Sequence, residues 1–176
     1  MSPFEKAFKH VIGVEGGYSN HEADSGGATK YGITLQTLRD YNNDQTLTEK
    51  EVKNLALEES QAIYYSKYWK PLRLDEIQDE LALLIFDQGV NRGLHSATMN
   101  VQQSLNQVRD EKIAEDGIMG PNTIEALKDA NPKSFSVEFF KQSQLDYARI
   151  VESDPSQAVF IEGWLHRTHR MLDIIV

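Results

Sequence analysis

The chain has no cysteine, only five prolines and two tryptophans, and too few basic residues to balance its acids. It also has no apolar run of membrane-spanning length. Each shortage excludes something. Without cysteine there is no disulfide, no thiolate zinc site and no cysteine nucleophile, so the fold stands on packing alone. Eighteen Lys and Arg against 27 Asp and Glu leave a formal net charge of -9, which speaks against the phosphate-tracking surface that nucleic-acid binders need. The same charge speaks against docking on an anionic membrane or a polyanionic surface. The substrate is therefore expected to be recognised by shape and hydrogen bonds rather than by bulk charge. Charged residues Glu5 and Lys6 interrupt the N-terminal stretch before any signal-peptide core can form. The expectation is a chain made in the cytoplasm that reaches a target outside the membrane only after release or export, with dependence on a separate holin or pore.

What is there suffices for one sizeable core: 176 residues, 40% of them hydrophobic. Phe4, Ala7, Phe8, Val11 and Ile12 share one helical face, and Ser2 with Glu5 and Pro3 signs the start of a helix read over Ser2 to Glu15. Tyr18 to Gly32 reads as a long loop or small hairpin. A short helix follows over Thr34 to Tyr41. Thr48 with Glu51 opens another that carries Val52 through Trp69 and stops before Pro71. Leu81 to Phe86 is apolar nearly all round, which places it on a buried helix running to Asn91 and closed by Gly93. Ala97, Val101, Leu105 and Val108 mark the next helix, Asn122 to Lys128 a short one, and Phe135 to Glu152 and Ser156 to Ile175 the last two. Phe160 and Trp164 read as core. Seven or eight helices and no set of strands predict an all-α domain, α+β at most through the small hairpin. Residues 1–176 read as a single domain, with a lobe over 1–92 and a helical lobe over 93–176 sharing one core.

The segment that carries chemistry runs Val14-Glu15-Gly16-Gly17-Tyr18, then Asp24-Ser25-Gly26-Gly27-Ala28-Thr29-Lys30-Tyr31-Gly32. A carboxylate ending an apolar helix sits where partial desolvation can raise its pKa, and the helix C-terminus disfavours its charge further. The paired glycines beside it let a bulky ligand approach the backbone. A second carboxylate, Asp24, arrives on the glycine-rich loop with Thr29 close behind. Two carboxyl groups flanking a glycosidic bond are the minimum apparatus for its hydrolysis: Glu15 protonates the leaving oxygen, Asp24 and Thr29 hold or activate water. Glu22 is an alternative second carboxylate.

These residues resemble the N-terminal signature of glycoside hydrolase family 108, muramidases found as phage endolysins and as bacterial proteins labelled secretion activators. The likeness continues through Phe86-Asp87-Gln88-Gly89-Val90-Asn91-Arg92-Gly93, Ala97 to Gln102, Asp116 to Thr123, and Gly163-Trp164 with Arg167. It implies a lysozyme-like helical fold, Glu15 as the essential acid, and the bond between N-acetylmuramic acid and N-acetylglucosamine as the target. The order Glu15, Asp24, Thr29 is also similar to the catalytic set of phage lysozymes, with Thr29 one residue sooner.

Tyr18 and Tyr31 are candidates for stacking on sugar rings. Asp87 and Asn91, one helical turn apart, line the cleft or support the neighbouring loop. The five histidines show no metal spacing beyond His166 and His169, which suit a surface helix, so no metal and no cofactor is expected. The partner is the glycan strand of peptidoglycan, with no nucleic acid and no stable membrane insertion, and a monomer is expected. Lytic transglycosylase activity and non-catalytic wall binding are the competing readings.

Overall fold

In the computed structural model, residues 1–13, 17–19 and 28–175 are described, the side chains of 172–175 excepted. Two compact units emerge, Met1–Lys70 and Pro71–Val176. The protein is all-α and lysozyme-like: the described residues hold nine α-helices and one two-stranded sheet.

In the first unit, α1 spans Pro3–Val11 and is opened by the expected capping box, Ser2 and Glu5 each bonding the other's backbone N–H. Phe4, Ala7 and Phe8 are buried. The helix ends a turn earlier than the sequence suggested. The Ile12 and Gly13 amides close on Phe8 and Lys9 carbonyls, and Gly13 takes the left-handed conformation at φ 79°. The first glycine that can terminate the helix does so, ahead of the Gly16-Gly17 pair.

Strands β1 (Thr29–Lys30) and β2 (Ile33–Thr34) form an antiparallel hairpin, Thr29 opposite Thr34 and Lys30 opposite Ile33. Its two-residue turn, Tyr31-Gly32, has both residues at positive φ, 52° and 74°, the mirror-image turn whose twist matches paired strands. Thr34 then caps α2 (Leu35–Asn42) by accepting from the Thr37 amide at 3.1 Å.

The single helix expected from Thr48 to Trp69 is instead three elements. Thr48 and Glu51 do form the capping box of α3 (Glu49–Asn54), but Leu55 leaves helical space at ψ 124° while staying 2% exposed. Burial of that side chain outweighs helix propensity, and α4 (Leu57–Tyr64) restarts after it. A π-turn over Tyr65–Trp69 follows. Tyr64 and Trp69 are both buried yet five residues apart, a spacing no regular α-turn puts on one face; the wider turn does. Trp69 thereby meets the edge of Phe4 at 5.3 Å.

The second unit is built around α5 (Asp79–Arg92), α6 (Leu94–Val108) and α8 (Pro132–Ser153), with α6 packed against both others. Leu81 through Phe86 are buried in succession, as read from sequence, and Gly93 at φ 81° separates α5 from α6. Helix α7 spans Pro121–Asp129; Asn131 and Pro132 open α8 rather than merely ending α7. A polar seam crosses the core. Asn100, fully buried, donates to Gln88 Oε1 at 2.7 Å, Ser143 Oγ at 2.8 Å and the Phe139 carbonyl at 3.3 Å. These bonds from one buried amide tie α6 to both α5 and α8.

The last segment is a 3-10 turn, Pro155–Phe160, capped by Asp154, then α9, Ile161–Ile175. Trp164 stacks on Tyr147 at 5.0 Å, but Phe160 is 53% exposed and is not core. The tight turn before α9 leaves its ring covering Trp164 from the solvent side. No helix among the described residues is long and apolar enough to cross a membrane.

Candidate active site

Glu15, Asp24 and the alternative carboxylate Glu22 lie outside the described residues. What the structure describes is the frame on either side of them in the chain. Ser19 and Thr29 exchange both backbone hydrogen bonds at 2.8 Å, so the backbone just after Tyr18 is held beside Thr29. Tyr18 is 37% exposed and its ring lies 5.9 Å from Lys53 Nζ. Lys30 donates to the Lys53 carbonyl at 3.0 Å and also stands 5.4 Å from the Tyr31 ring. Two ammonium groups and two tyrosine rings thus gather beside Thr29, each cation within reach of an aromatic face.

The turn that ends this frame is fixed from beneath. Buried Tyr64 donates its hydroxyl to the Tyr31 carbonyl at 3.1 Å. A Cβ on Gly32 would lie 2.5 Å from that hydroxyl. Glycine is therefore required twice, for its φ and for the space. Thr29 makes both of its backbone hydrogen bonds to Ser19 and stands opposite Thr34 in the hairpin register.

Asp87 and Asn91 belong to the second unit. Asp87 pairs with Arg167 Nε of α9 at 2.8 Å, with the carboxylate side chain 14% and the arginine 28% exposed. Asn91 Nδ2 donates to the Asp87 carbonyl at 2.5 Å. Burial raises the Asp87 carboxyl pKa above its ordinary value, although Arg167 and Arg170 pull it down. Beside them a void of about 20 Å³, lined by Asp87, Gln88, Asn91 and Tyr147 among others, is large enough for one water. Gln88 Nε2 is buried without a hydrogen-bond partner among the described residues.

The raised Asp87 pKa has a definite sign for stability. The folded chain holds this proton more tightly than the unfolded chain does. The contribution is therefore fully present below the unfolded carboxylate pKa, about 4, and is lost as pH rises through the higher folded value. Urea midpoints measured from pH 3.5 to 6 are expected to show that loss in the parent chain and a flatter profile in Asp87→Asn. Parallel profiles would mean that the ion pair with Arg167 offsets burial and leaves the group no net shift.

Residues 8–93 match the family described as glycosyl hydrolase 108, and residues 96–169 match the predicted peptidoglycan domain. Over residues 8–93 the chain is similar to the glycosyl hydrolase 108 family. A glycosidase match followed by a peptidoglycan-domain match supports a glycosidase that acts on peptidoglycan. Among solved structures it is similar to SagA of Brucella abortus, at 27% identity and a TM-score of 0.76 over 96% of this chain and 90% of that one. No curated protein matches the chain. The glycosidase match contains Glu15, Tyr18, Glu22, Asp24, Thr29, Tyr31, Asp87 and Asn91, the candidate site residues singled out from sequence.

Lys30, Lys53 and Tyr64 were not among them. Lys30 was visible inside the motif, but Lys53 and Tyr64 reach it from other helices, 23 and 33 residues away, with no local signal. Among the described residues no group of His, Asp and Glu is arranged to hold a metal ion.

Proposed function

We propose that this glycosidase is an N-acetylmuramidase, cutting the β-1,4 bond between N-acetylmuramic acid and N-acetylglucosamine with Glu15 as general acid. The match of residues 8–93 to a glycosidase family, with Glu15 in its opening segment, is the observation that carries the reading. Glu15 protonates the leaving glycosidic oxygen, and Asp24 or Glu22 acts with Thr29 on the attacking water. The Ser19–Thr29 pairing supports this role for Thr29, since it ties the threonine to Ser19, which precedes Glu22 and Asp24 in the chain. Tyr18 and Tyr31 offer ring faces to the sugars. Asp87 and Asn91 serve as substrate contacts or as support for the cleft. The 1–92 segment acts as the catalytic lobe and 93–176 as the wall-associated one, in a monomer that works on the cell wall after release or export.

The test is the chemistry of the product. Purified peptidoglycan digested by the chain is expected to give fragments with reducing muramic acid ends. An anhydro end, lighter by one water, would make it a transglycosylase in which the sugar's own hydroxyl displaces the leaving group. Absence of fragments would sink the enzymatic reading.

A further inference from the structure

We propose that the groove between α6 and α8 is a second binding site for peptidoglycan, one that takes the carboxylates of its stem peptides on Arg92, His95 and Arg149. The proposal rests on peptidoglycan being the polymer on which the chain acts, and it concerns a part of that polymer other than the sugar bond.

The groove has a volume of about 400 Å³, within the range of small-ligand sites. Its rim carries Arg92, His95 and Arg149 against one carboxylate, Asp146, with Met99 and Ile150 supplying apolar floor. In a chain with 27 acidic and 18 basic residues this is a local inversion of sign. Asp146 does not cancel it. That carboxylate is 20% exposed and already paired with Arg149 at 2.9 Å, while Arg149 stays 62% exposed with donors left over.

Arg92 is built into place. Its guanidinium lies 5.3 Å from the Tyr147 ring, and its Nη1 is buried without an acceptor among the described residues. No carboxylate there pairs with it. An arginine held over an aromatic ring loses less freedom than a free one when its remaining N–H groups meet an anion.

His95 is also seated. Its ring lies against the backbone at Gly117, where a Cβ would come within 2.1 Å of Nδ1, and Gly117 itself has φ 71°. Only glycine at 117 lets the imidazole occupy that position on the groove wall.

The occupant follows from the chemistry of the polymer. Where a stem peptide is attached, the muramic lactyl carboxyl is consumed as an amide, so the carboxylates of the substituted polymer are the glutamyl and diaminopimelyl ones of its stem peptides. Planar guanidinium groups are suited to pair with such carboxylates through two parallel hydrogen bonds. Most of the groove also lies in residues 96–169, the segment that matches a peptidoglycan domain.

The probe is the synthetic tripeptide L-alanyl-γ-D-glutamyl-meso-diaminopimelate, titrated into the full chain and followed by amide shifts in NMR spectra. Saturable shifts are expected around residues 92–103 and 146–153, weakening as salt is raised. A tripeptide with amidated carboxylates is expected not to bind. Arg149→Gln and Arg92→Gln should each weaken binding about tenfold, the usual scale for a charge-assisted hydrogen bond. Arg92→Lys, which keeps a cation over Tyr147, should give an intermediate loss and guards against misfolding of the glutamine variant. Glu15→Gln should bind the tripeptide like the parent chain, so this site and the proposed catalytic acid fail separately. Equal binding of the amidated peptide, unchanged affinity in both arginine variants, or no binding to the parent chain would each overturn the proposal.

Discussion

Glu15→Gln is expected to lower kcat/KM on peptidoglycan by about 10²- to 10⁴-fold, the usual contribution of a positioned general acid. Glutamine keeps the volume and the hydrogen-bonding reach of the side chain but has no proton to deliver to the departing sugar oxygen. The loss should fall on kcat with KM little changed, because the proton is transferred only in the transition state. Stability should stay within about 0.5 kcal/mol of the parent, since no buried contact is removed by an isosteric change. Asp24→Asn and Glu22→Gln, made in parallel, separate the two candidates for the second carboxylate: the one that assists water should cost orders of magnitude, the other little. Full activity in Glu15→Gln would refute the proposed acid outright. Activity lost together with folding, seen in the melting curve, would assign Glu15 to structure instead.

Where local chemistry was sufficient, the sequence was a good guide to the fold. The capping boxes at Ser2 and Thr48, the all-round apolar run of α5 and the stop at Gly93 are written in residues within one or two turns of each other. The departures came from tertiary terms. Leu55 breaks a helix that its neighbours favour because its side chain is wanted in the core, and the π-turn answers the five-residue spacing of Tyr64 and Trp69. Gly13 was passed over as a terminator because two adjacent glycines further on gave a stronger local signal. For the site, the motif around Glu15 named the chemistry. The props did not show: Arg167 meets Asp87 across 80 residues and Tyr64 meets Tyr31 across 33, and pairings at such separations leave no periodic trace. The acidic total charge likewise hid the basic groove of α6 and α8, since a sum over the chain says nothing about where its few arginines gather.

The tyrosine beneath the hairpin allows the second large effect to be dissected. Gly32→Ala should destabilise the chain by about 2 to 3 kcal/mol, from a left-handed φ that alanine resists and a Cβ driven against the Tyr64 hydroxyl. It should also reduce activity, because relief of that contact moves the turn that follows Thr29. Tyr64→Phe alone removes one hydrogen bond to the Tyr31 carbonyl and should cost about 1 kcal/mol. The double variant then discriminates between the two causes of strain. The atom that the new Cβ strikes is the hydroxyl oxygen, and the next ring atom is 3.8 Å away, an ordinary contact. In a phenylalanine background the steric part of the alanine penalty should vanish and only the φ penalty remain. Urea unfolding of the four proteins is therefore expected to give a double-variant loss smaller than the sum of the single losses by about 1 kcal/mol. Strict additivity would mean that backbone conformation alone makes glycine necessary at 32. A recovery of activity in the double variant, relative to Gly32→Ala, would tie the position of Thr29 to this one contact and hence to the hydrolytic step.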